Sequence, residues 1–66
     1  MNKNLLWRCA KSEAAHIKEL REQFKNHPDK SWVIEMHQRI LADFVCQYLE
    51  EGGTRDATML LEVPNA

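Results

Sequence analysis

The chain reads as all-α: an antiparallel helical hairpin of two long helices plus a short C-terminal helix or docked tail, completed as a dimeric four-helix bundle. Three observations predict this. Residues 4–25 contain neither proline nor glycine, and their apolar residues recur at helical spacing. A corner, KNHPDKS at 25–31, follows directly. A second periodic run then continues to about residue 51, where Gly52-Gly53 stops it.

Helix 1, about 4–25, is amphipathic. At 100° per residue Leu6, Cys9, Ala10, Ala14, Ile17, Leu20 and Phe24 share a face, with Trp7 at its edge. Lys11, Glu19 and Glu22 fall elsewhere. Glu13 and Arg21 interrupt the stripe, which is narrow enough for one packing partner. The turn, 26–28, has a local logic. Asn26 suits a helix stop, and His27 is pushed out of the helical region by the proline after it. Pro28 fits the first position of a new helix and Asp29 its positive end, while Ser31 offers a second N-cap.

Helix 2, about 28–51, is apolar over roughly half its circumference, about twice what helix 1 can cover. Trp32, Ile34, Leu41, Val45, Tyr48 and Leu49 are therefore expected to form an uncovered interface. His37, near the middle of the arc, joins them. It reads as a core histidine bonded to Tyr48 or Gln47. A sharper reading makes it a pH-dependent interface, loosening below about pH 6 because apolar surroundings resist its charging. In the tail, 54–66, Thr54 is a candidate N-cap and Met59, Leu60 and Leu61 would cap an open end of the hairpin. An extended segment from Thr58 to Val63, ended by Pro64, is the alternative.

Composition bounds the function. Sixty-six residues make one domain, 1–66, which buries only about 60% of its unfolded surface. Such chains usually need a staple or a partner. Two cysteines are too few for a disulfide framework, and no apolar run reaches the roughly 20 residues of a membrane span. The N-terminal stretch MNKNLLWRCAKSE has three consecutive apolar residues, too few for a secretory core region. These features point to a cytoplasmic protein with reduced thiols and no membrane attachment. Residues 1–30 carry seven Lys/Arg against four Asp/Glu, and residues 31–66 two against six, so the halves attract if the chain folds back. A net charge of −1 disfavours a dedicated nucleic-acid binder. Lys11, Lys18, Arg21 and Lys25 would be the track for RNA or an acidic partner.

No grouping of residues announces catalysis. Cys9 and His16 are seven apart and His37 and Cys46 nine, so neither pair offers two zinc ligands one turn apart on one helix. Ser12 lies near His16 without a pocket, and Gly52-Gly53 lack the pattern of a phosphate loop. No catalytic, metal or cofactor residue and no small-molecule substrate is expected. The implied function is a small non-enzymatic adaptor or regulator acting through helix-mediated protein contact. Its partner would be a second copy or a heterologous helical protein. The alternative is an RNA- or DNA-binding hairpin dimer.

His27-Pro28-Asp29-Lys30 resembles the loop signature of J-domains at all four positions, and Ile17 to Lys25 is loosely similar to that family's basic second helix. The resemblance implies an Hsp70 co-chaperone, with His27, Pro28, Asp29, Lys18, Arg21 and Lys25 contacting the Hsp70. The sequence departs from the pattern elsewhere. Glu19 and Glu22 alternate with the bases, Trp32-Val33-Ile34 follows almost at once, and residues 1–16 read as one continuous helix.

Overall fold

A computed structural model describes residues 2–61, and the described residues are helical or in turns. Helix α1 is Lys3–Gln23 and helix α2 is Ser31–Glu50, with 3₁₀ turns at Pro28–Lys30 and Ala57–Leu61. The two long helices pack against each other, and the second 3₁₀ turn packs against both. The molecule measures 39 × 17 × 14 Å.

Helix α1 begins two residues before Leu5 because Asn2 caps it: its Oδ1 accepts the Asn4 N–H at 2.7 Å. It ends at Gln23, earlier than the period suggested, with Phe24 as the C-cap. No described residue other than glycine has a positive φ, so Asn26 does not stop the helix through a left-handed turn. The chain instead leaves through 24–26, and His27 takes the extended φ of −129° that a following proline demands. Pro28 opens a 3₁₀ turn, closed by the Lys30 N–H on the His27 carbonyl at 2.9 Å. Asp29 sits in that turn, and α2 starts at Ser31 without a side-chain cap. The corner therefore takes more chain than the expected 26–28.

Helix α2 ends as its glycines predicted. Gly52 has φ +82°, and the Gly52 N–H bonds the Leu49 carbonyl while the Gly53 N–H reaches the Tyr48 carbonyl. This is a Schellman ending, with the left-handed residue at a glycine. Gly53 is needed for space, since a Cβ there would lie 2.3 Å from the Tyr48 ring.

The core joins α1 residues Leu6, Ala10 and Ile17 to α2 residues Leu41, Val45 and Tyr48, with Ala57 of the tail fully buried among them. Leu20 is also buried, while Trp7, Ala14, Ile34, Phe44 and Leu60 pack at its margin. The tail is docked as a 3₁₀ turn. The Arg55 N–H donates to the Tyr48 hydroxyl at 3.0 Å, and its guanidinium lies 5.1 Å from the Trp7 ring centre. Trp7 and Tyr48 rings meet at 5.4 Å. Met59 and Leu61 stay exposed, so the tail contributes through Ala57 and Leu60 rather than as the three-residue apolar cap expected. The extended alternative fails over Thr58 to Leu61, which are 3₁₀. Val63 and Pro64 lie outside the described residues.

Candidate functional site

The interface residues read from the sequence separate into three groups. Leu41, Val45 and Tyr48 are core, and Ile34 packs beside them, so these four face α1 and the tail inside the monomer. Trp32 is 57% exposed and Leu49 45%, on different sides of α2. His37 is half-buried and touches α1. The apolar half-circumference of α2 is real, but its uncovered part lies elsewhere. Turning 100° per residue away from Leu41 and Tyr48 brings Trp32, Met36 and Ile40 to the outer side, spaced four apart as one ridge. Met36 is 47% exposed and Ile40 37%, and Val33 and Phe44, each partly buried, border the ridge. Sequence reasoning missed Met36 and Ile40 because an arc of 180° does not say which edge meets the neighbour.

The proposed basic track also divides. Lys11 and Lys18 are exposed and seven residues apart, hence nearly in line along α1, and Lys25, also exposed, lies in the turn just past its end. Arg21 is half-buried, and Lys25 pairs with Glu22 at 3.0 Å. His27, Pro28 and Asp29 are exposed at the corner.

Glu13, the acid that interrupted the α1 stripe, has a specific partner. Its Oε1 lies 2.5 Å from His37 Nδ1 across the hairpin, both side chains largely buried at 15% and 20% exposure. The bond expected from Tyr48 or Gln47 is thus made by a carboxylate. His37 therefore does not sit in purely apolar surroundings. His16, one turn beyond Glu13, meets the His37 ring edge-on with centres 4.7 Å apart. One ligand atom from each of Glu13, His16 and His37 lies within 4.8 Å of the other two. These are the described residues that could hold a metal. Trp7, under the tail, is about 120° from Glu13 around α1. The tail therefore covers one broad side of the hairpin and the Glu13–His16–His37 cluster opens on the other.

No protein-family model, curated protein or solved structure matches the chain. None of the helices among the described residues is long and apolar enough to cross a membrane.

Proposed function

We propose that the protein is a small non-enzymatic adaptor or regulator that works as a homodimer joined through the outer ridge of α2. The observation that carries this reading is the exposed line Trp32–Met36–Ile40 on the outer side of α2. Trp32, Met36 and Ile40 stay exposed with the tail docked, so no segment among the described residues covers the ridge. A second copy suits it. The edge bearing the ridge, 39 by 14 Å, projects on the order of 550 Å², a small interface beside the roughly 800 Å² per partner of a standard one. The ridge is straight and self-complementary. A two-fold axis between Met36 and Ile40 sets Trp32 of one copy against Phe44 of the other, and Met36 against Ile40. A net charge of −1 gives two copies little reason to repel. The result is a four-helix arrangement whose remaining surface, including the lysine line of α1, is free for a further partner.

Light scattering over a concentration series tests it. The expected mass is twice 7.8 kDa. Ile40→Glu should halve that mass while leaving helical circular dichroism intact, because Ile40 is not part of the monomer core. Full burial of such a side chain contributes about 1.5–3 kcal/mol; Ile40 starts 37% exposed and is buried twice in a symmetric dimer, so the dimer should weaken by at least roughly six- to fortyfold. A wild type that stays monomeric and fully helical at every concentration, or an Ile40→Glu dimer as tight as wild type, refutes the assignment.

A further inference from the structure

We infer that Glu13, His16 and His37 form a binding site for a zinc-type divalent transition ion that pins α1 to α2. The inference is independent of the dimer, since all three donors belong to one chain.

The donor set is the first argument. Two imidazoles and a carboxylate are a common zinc set, and they suit borderline transition ions better than calcium or magnesium, which prefer oxygen alone. The second argument is geometric. Glu13 and His16 are one helical turn apart, Glu-x-x-His, so both project from the same side of α1. His37 arrives from α2 on the same side, and the three ligand atoms already lie within 4.8 Å of one another. Around a tetrahedral ion with bonds near 2.0–2.2 Å, ligand atoms sit roughly 3.3 Å apart. Reaching that spacing means opening the 2.5 Å Glu13–His37 contact by under about 1 Å and drawing His16 inward. His16 is exposed and has the freedom to move. Glu13 and His37 are largely buried and already paired, so the larger movement falls to His16.

The third argument concerns competition. An ordinary carboxylate–histidine pair satisfies Glu13 and His37 without His16, yet the His16 ring is brought edge-on to His37 at 4.7 Å. Placing a second imidazole there completes a three-ligand set. Three protein ligands leave a coordination position open for water or for a donor from another molecule. A clip between helices is the kind of staple that a 66-residue chain with no disulfide can use, and metal free energy of this sort acts directly as folding free energy.

The test uses the full-length reduced protein treated with chelator and then titrated with Zn²⁺, with Mg²⁺ as the oxygen-preferring control. Co²⁺ serves as the spectroscopic probe. The expected result is one Zn²⁺ per chain, a rise in Tm reversed by chelator, no response to Mg²⁺, and visible Co²⁺ absorption characteristic of low coordination number. His16→Ala is the discriminating variant, because an exposed side chain can be removed without disturbing the core. It should fold as wild type and lose more than about tenfold in Zn²⁺ affinity, a loss that even an outer-shell partner of a metal typically causes. His27→Asn, at the exposed corner, should bind as wild type. Repeating the titration on Ile40→Glu separates this site from dimer formation, and binding there should persist at one ion per chain. No saturable Zn²⁺ binding in the micromolar range overturns the site. So does binding unchanged in His16→Ala, or binding lost in His27→Asn, because either would move the ion elsewhere.

Discussion

At the scale of single residues, Tyr48 does the most varied work. Its ring lies in the core, its hydroxyl accepts the Arg55 N–H, and its face closes on Gly53. Tyr48→Phe keeps the ring and removes the acceptor, so it should cost about 1 kcal/mol, read as a lower urea midpoint. Gly53→Ala forces a methyl group against that ring and should cost about 1–3 kcal/mol, also measurable by urea unfolding. At the N-terminus Asn2→Ala should cost around 1 kcal/mol through loss of the cap. Little of this detail was readable beforehand. Gly52 and Gly53 were recognised as a helix stop, because the left-handed conformation is a local demand. That Gly53 also makes room for an aromatic ring depends on where the tail goes, which is not local.

At the scale of the elements, the two helices and the tail were legible because apolar period and glycine placement act within a few residues. The orientation of α2 was not. Its apolar arc is wide enough to meet α1 along either edge, and the corner at 24–30 selects the edge carrying Leu41, Val45 and Tyr48. Substitutions on the two sides of α2 should therefore behave oppositely. Leu41→Ala removes a fully buried side chain and should cost about 2–5 kcal/mol, enough to melt much of the helical signal in a domain this small. Met36→Ala, on the outer ridge, should leave the monomer's unfolding midpoint nearly unchanged while weakening self-association. Equal destabilisation by the two would show that the sides of α2 have been assigned wrongly. The Glu13–His16–His37 cluster was overlooked for a related reason. In the sequence Glu13 is a break in an apolar stripe, and no His and Cys pair within one helix has ligand spacing. The signal was present in two parts. Glu-x-x-His gives one-turn spacing on α1, and counting outward from a corner centred on residues 26–27 brings His16 level with His37.

At the scale of the whole molecule, the hairpin is an elongated body with different chemistry on two opposite sides and an apolar ridge along one edge. The docked tail makes one side a closed hydrophobic core. The other holds the three-donor cluster, and the ridge is where association is proposed. These are separable events: metal binding engages one chain, while dimer formation needs two. Wild-type protein stripped of metal should still dimerise if the ridge alone drives assembly, and mass measurement with and without chelator reads this directly.

The two tryptophans fall on opposite sides of this division. Trp7 lies against Tyr48 and beneath the Arg55 guanidinium, so its surroundings change when the tail lifts away. Trp32 stands 57% exposed on the ridge, so its surroundings change when a second molecule arrives. The chain thus carries two built-in optical reporters of different reaction order. In Trp32→Phe the remaining emission should follow a concentration-independent unimolecular transition. In Trp7→Phe it should shift to the blue as protein concentration rises.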